Sequence, residues 1–272
     1  MNLKSMSLAP TVARLVIPAV MLLFLAPCRA QVAASNTYRK NTSNTNAWLM
    51  YFGNHKFSPL LGWHAEIQVR RHDVIRDWQQ LLLRTGLDIY SKQVRYTIGY
   101  AFVETFPYGE FAVANSFPEH RIWQQALVSQ QAGSLKLSHR YRLEQRMIGN
   151  ASTGEFRNGR YENRFRYMVK ASLPLKGKTL EAKEFYLAAY DEVFINFGKG
   201  VRYNLFDQNR AYAALGFHLG KVGKVECGFL YQVVQQGSLL QSGTDYFNKI
   251  ENNFTFQLSL FSELSFYKMH KE

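Results

Sequence analysis

Four charged residues set two apart open the question of chemistry. In SHRYRLEQRMI (138–148), Arg140, Arg142, Glu144 and Arg146 occupy every second position, with His139, Tyr141, Leu143, Gln145 and Met147 between them. A little further on, RYENRFRY (160–167) repeats the pattern with Glu162, Arg164 and Arg166, and AYDEVFINFG (189–198) adds Glu192. Side chains of a strand point alternately to its two faces, so each segment gathers its charges on one side. Such a set offers two kinds of chemistry. Guanidinium and carboxylate groups can pair into a ladder that braces an interior, or a ring of them can select ions entering a pore. Glu144, Glu162 and Glu192 are the acids best placed to pair with the five arginines.

Other reactive types are scattered. His64, His120, His139 and His218 show no HExxH spacing, and there is no GxSxG elbow. The Gly-rich NASTGEFRNGR (150–160) lacks the Lys-Ser/Thr ending of a phosphate loop and reads as a surface loop. His139, on an apolar face, reads as an interfacial aromatic. The expectation is therefore no catalytic residue, no metal, no cofactor and no nucleic-acid motif.

The elements that must position these charges are strands. LGWHAEIQV (61–69) sets Leu61, Trp63, Ala65, Ile67 and Val69 against Gly62, His64, Glu66 and Gln68. The same period of two recurs in QLLLRTGLDIY, VRYTIGYAF, AYAALGFHL, VECGFLYQV and FTFQLSL, and no helical period competes with it after residue 46. Several runs are longer than the usual strand of about five or six residues and approach the nine to eleven of a membrane strand. Outward positions of the clearest strands carry almost no Lys or Arg, as lipid contact requires, since a mid-membrane Lys or Arg costs about 2–4 kcal/mol. Short connections near 55–59, 91–92, 132–134, 174–183 and 221–223 alternate with longer ones near 71–77, 106–117, 148–159, 198–208 and 237–247. Short turns at one rim and long loops at the other are the mark of an outer-membrane barrel.

The ends carry further expectations. Lys4 and Arg14 precede the apolar run LVIPAVMLLFLA (15–26), and Ala30 offers a cleavage site, so residues 1–30 read as a secretory signal peptide. Cys28 gives only a poor lipoprotein match. Removing the leader's three bases (Lys4, Arg14, Arg29) from the 33 leaves a net charge of about +10 against 20 acids. That charge suits anionic partners such as lipopolysaccharide headgroups. Cys227 is the single cysteine beyond the leader, which leaves no internal disulfide.

YRLEQR (141–146), RYENRFRY (160–167), AYDEVFINFG (189–198) and the hairpin NRAYAALGFHLGKVGKVECGFLYQ (209–232) resemble the DUF2490 family of exported bacterial proteins. The resemblance implies an outer-membrane β-barrel and no assigned activity. The expectation is an all-β protein: a polar segment over 31–45, an antiparallel transmembrane barrel of 10–12 strands over 46–264 and a tail over 265–272. Its partners would be outer-membrane lipids and the barrel-assembly machinery. About eleven strand-like runs are legible, whereas single-chain bacterial barrels have an even number. Either a further strand hides in 37–46 or one run is not a membrane strand. A lipid-modifying enzyme and a soluble periplasmic ligand-binding β-protein are the rival classes.

Overall fold

The computed structural model describes residues 38–266, and the expected leader, Cys28 and most of the expected tail lie outside that range. Eleven strands follow in order: β1 Tyr38–Lys56, β2 Leu61–His72, β3 Asp77–Tyr90, β4 Val94–Thr105, β5 Phe117–Ala132, β6 Leu135–Ile148, β7 Arg160–Pro174, β8 Phe185–Phe197, β9 Phe206–His218, β10 Lys224–Ser242 and β11 Asp245–Ser262. A short 3-10 turn, Gly220–Val222, is the one helical piece among the described residues. Each strand pairs antiparallel with the next, and β1 closes the ring against β11.

That closing pair is parallel, running in register from Tyr38 opposite Phe247 to Gly53 opposite Ser262. Sequential hairpins reverse direction at every turn, so an eleventh strand must run the same way as the first. The odd count therefore needs neither a hidden strand nor a spurious one. Instead, the polar segment before residue 46 is the first half of β1, with Tyr38–Asn46 laddered against Phe247–Thr255. The barrel starts eight residues earlier than its apolar alternation suggests, because this half of the strand is exposed on both faces as far as Asn41.

Two expected long loops are shortened by strand. β10 and β11 run on to a two-residue turn at 243–244, where Gly243 takes φ +61°, a left-handed conformation that suits a residue without Cβ. A bulge between Gln235 and Leu239 interrupts the ladder there. The β2–β3 connection shrinks to 73–76, where the guanidinium of Arg71 donates to the carbonyls of Ile75 and Arg76. One end of the barrel thus carries 57–60, 91–93, 133–134, 175–184 and 219–223. The other carries 73–76, 106–116, 149–159, 198–205 and 243–244, so the loop lengths segregate less evenly than the sequence suggests.

The alternation itself is realised strand by strand. Trp63, Ile67, Leu83, Leu87, Tyr96, Ile98, Phe229 and Phe254 are exposed, while Glu66, Arg84, Arg142, Glu144 and Arg164 are buried. Asp191 faces outward at mid-strand. It is held there by the Asn209 amide, whose Nδ2 lies 3.0 and 3.2 Å from its two oxygens. Glycine makes room where a ring must lie flat against the wall: a Cβ on Gly216 would sit 2.2 Å from the Tyr186 ring.

The parallel seam is directly testable. In a Cys227→Ala background, Leu49→Cys with Leu258→Cys should cross-link on oxidation, since the two are register partners on the outward face. Leu49→Cys with Thr255→Cys, whose side chains face opposite sides, should not.

Candidate functional site

All eight charged residues picked out by spacing sit on the inner side of the closed sheet. Glu144 is the hub. Its carboxylate is fully buried and accepts from Arg84 Nη2 at 3.3 Å, Arg164 Nε and Nη2 at 2.8 and 2.5 Å, and Arg166 Nη1 at 3.0 Å. Arg84 continues to Glu66, with Nη1 2.7 and 2.6 Å from the two oxygens. Arg164 spends Nη1 on Asp207 at 2.9 Å. Glu192 accepts from Arg140 Nη2 at 2.6 Å and Arg166 Nε at 2.9 Å. These contacts join β3 to β6, β6 to β8 and β7 to β9, over intervening strands, as only the inside of a closed barrel allows.

A second cluster lies toward the 106–116 end. Glu119 takes both Arg121 (2.6 and 2.9 Å) and Arg146 (2.6 and 3.1 Å), and Glu162 takes Arg146 at 3.4 Å and Arg160 at 2.7 Å. At the opposite end Glu226 accepts from Lys170 Nζ at 2.6 Å and the Tyr186 hydroxyl at 3.0 Å. Inward aromatic rings separate the guanidinium groups. Arg84 and Arg142 lie 5.2 and 4.8 Å from the Trp123 ring, and Arg164 and Arg166 lie 5.3 and 4.3 Å from Phe194, within cation–π range.

Seven of the eight residues are therefore in ion pairs. Arg142 is the exception: its Nε and Nη2 donate to Gln125 Oε1 at 3.0 and 2.6 Å. Arg164 does not pair with Glu192 on the neighbouring strand but turns to Glu144 and Asp207. Spacing missed Glu66, Arg84, Glu119, Arg121 and Asp207, although Glu66 and Arg84 stand on polar faces that the period of two already exposes. Glu119 and Arg121 are split by His120, the same rhythm in a shorter run. Asp207 enters through a bulge between Phe194 and Ile195, which no alternation reveals.

The belt divides the interior. One cavity of about 600 Å³ lies toward the 106–116 end and another of about 440 Å³ toward the opposite end, and both are lined by Gln68, Arg166 and Arg210. The 106–116 loop crosses the mouth of the larger one. From β4 it reaches past β3 and β2 to β11 and β1: the Tyr108 hydroxyl donates to Glu251 at 3.0 Å, and Glu110 pairs with Lys40 at 2.8 Å. Burial and the Glu251 carboxylate push the Tyr108 phenol up, so it stays a donor. The hydrogen bond from Lys40 holds the Glu110 carboxyl below the usual range.

Among the described residues no cluster of three or more His, Cys, Asp or Glu could hold a metal. His139 stacks on Tyr167 on the outward side, with Nδ1 2.9 Å from its hydroxyl, and Cys227 is free and exposed.

A family model described as a protein of unknown function, DUF2490, matches residues 45–241. The chain belongs to the DUF2490 family. The matched span of this DUF2490 chain runs from β1 into β10 and holds every member of the ion-pair belt. No curated protein and no solved structure matches the chain.

Removing a carboxylate from a buried pair leaves the partner charge uncompensated, a loss of about 3–5 kcal/mol. Glu144→Gln should therefore lower the denaturant midpoint far more than Glu181→Gln, which changes an exposed loop residue. The measurement is chemical unfolding followed by tryptophan fluorescence.

Proposed function

We propose that this protein is an outer-membrane β-barrel whose Arg/Glu-lined lumen is braced and nearly closed by its own ion pairs. One observation carries the reading: the closed sheet is inverted relative to a soluble barrel, with charges inside and apolar rows outside. Phe229 is 72 % exposed and Phe254 54 %, while Glu144 and Arg142 are 0 and 2 %. Water penalises that arrangement and a bilayer rewards it. Strands of 12 to 19 residues exceed the nine to eleven that a bilayer needs. The polar pairs on the outer side are also self-satisfied: Gln124 and Gln145 exchange hydrogen bonds at 3.1 and 3.2 Å, as Asp191 and Asn209 pair with each other. The outward rows oppose the rival reading of a soluble periplasmic binder.

In this arrangement the end bearing 106–116 and 149–159 faces outward and the shorter turns face the periplasm. The leader delivers the chain to the barrel-assembly machinery, and exposed bases at the outer rim meet lipopolysaccharide. The protein is not an enzyme in this reading. It is a structural barrel or a narrow conduit for small solutes, with little constitutive conductance and a weak preference for anions. Eleven strands enclose more width than the side-chain-filled eight-strand case, and the bridged arginines span it.

Purified protein should migrate differently on gels with and without boiling, and carbonate washing should leave it in the membrane fraction. Release by carbonate would overturn the location. In planar bilayers Glu192→Gln should increase anion leak, because Arg140 and Arg166 lose their shared acceptor. A wide, cation-selective channel unchanged by that substitution would show the account of the interior to be wrong.

A further inference from the structure

Most arginines inside the barrel meet a carboxylate. Arg70, Arg142 and Arg210 do not, and of these Arg70 and Arg210 line the same cavity. Arg70 Nε and Nη2 donate to Gln68 Oε1 at 3.1 and 2.5 Å, and its Nη1 donates to Gln80 Oε1 at 2.7 Å. Arg210 Nε donates to Gln208 Oε1 at 3.1 Å. A turned Gln232 amide would offer its oxygen 3.2 Å from Arg210 Nε and Nη2 in place of the Gln208 oxygen, so in either arrangement Arg210 meets glutamine oxygen and no carboxylate. Both guanidiniums lie over the same indole, Trp48, at 4.1 and 5.1 Å. That ring is itself fixed by Nε1 donating to Gln79 at 2.7 Å.

Glutamine orients a guanidinium without neutralising it. A buried positive charge lacking a counter-charge is costly, and an anion brought from outside offsets that cost. Both arginines line the cavity of about 600 Å³ beneath the 106–116 loop, a volume within the range of small-molecule sites. Its wall carries ten Lys and Arg side chains against four Asp and Glu. Those four are already engaged: Glu119, Glu162 and Asp207 with arginines, and Glu251 with Tyr108 and Gln236. Phe111, Phe194 and Tyr108 add an apolar surface beside the two guanidiniums, whose five N–H donors each are not all taken by the glutamines.

We propose that this cavity is a binding site for a small organic oxyanion, whose carboxylate or phosphate group is taken by Arg70 and Arg210 while its apolar body lies against Phe111 and Phe194. The planar forks match such groups in bidentate fashion. The site goes beyond the barrel's proposed role, since it requires neither conductance nor a particular membrane.

The test is calorimetric titration of the full chain in detergent with benzoate, succinate and inorganic phosphate. Benzoate or succinate should bind saturably and more tightly than phosphate. Arg70→Gln and Arg210→Gln should each weaken that binding by about tenfold or more, as expected for loss of a charge-assisted hydrogen bond. Arg157→Gln, in the exposed 149–159 loop, should leave it unchanged. If a glutamine variant fails to assemble, Arg210→Lys keeps the charge, loses the fork and should still weaken binding. No saturable binding by the wild type, binding of phosphate alone, or equal affinity in assembled Arg70→Gln and Arg210→Lys would each overturn the proposal. Since this readout is taken in solution, a failure here is separable from a failure of the membrane fractionation.

Discussion

A barrel that turns its apolar side chains outward must fill its inside with something other than hydrocarbon. Here the filling is charge, and the constraint that follows is strict: almost every ionised group inside has to find a partner inside. Glu144 shows how the constraint is met. One carboxylate from β6 serves arginines from β3 and β7, so a single residue ties β3 to two strands with which it shares no ladder hydrogen bonds. Wall-to-wall bridging of this kind replaces the interdigitated apolar core of a soluble domain. The described chain has only a small buried apolar cluster, centred on Trp48, Met50, Tyr212 and Leu230.

The aromatic rings inside have a different duty from those outside. Trp123 and Phe194 are spacers that hold like-charged guanidiniums apart while giving each a π-face to rest on. Outside, His139, Tyr141 and Tyr167 form a cluster in which His139 Nδ1 and the Tyr167 hydroxyl share a hydrogen bond and the Tyr141 ring packs against that of Tyr167. The same residue types thus do electrostatic work on one side of a single-layer wall and present apolar surface on the other. The period of two decides which.

That period also explains what was legible in the sequence. Residues such as Arg140 to Arg146 and Arg164 to Arg166 declare their face because apolar neighbours separate them, and the architecture follows from repeating the observation along the chain. Partner choice is another matter. Arg164 passes over Glu192 for Glu144 and Asp207 because the stagger between neighbouring strands, which sequence does not display, sets who stands level with whom. Strand ends were hidden for a related reason: Tyr38–Asn46 is almost wholly polar and the tips of β10 and β11 set apolar residues side by side, as at Leu239 and Leu240, so they carry no alternation, yet their ladders continue. Asp207 was hidden by a bulge that shifts the rhythm by one residue.

The parallel seam between β1 and β11 bears on ancestry and growth. A barrel of this kind changes size most simply by gaining or losing whole hairpins, and every such event alters the strand number by two. Oddness is then invariant: no succession of hairpin duplications or deletions converts eleven strands into an evenly closed ring. The first and last strands of any descendant built this way would again meet running in the same direction. Parity is thus unchanged by gain or loss of hairpins, independent of barrel width and of whatever the interior holds.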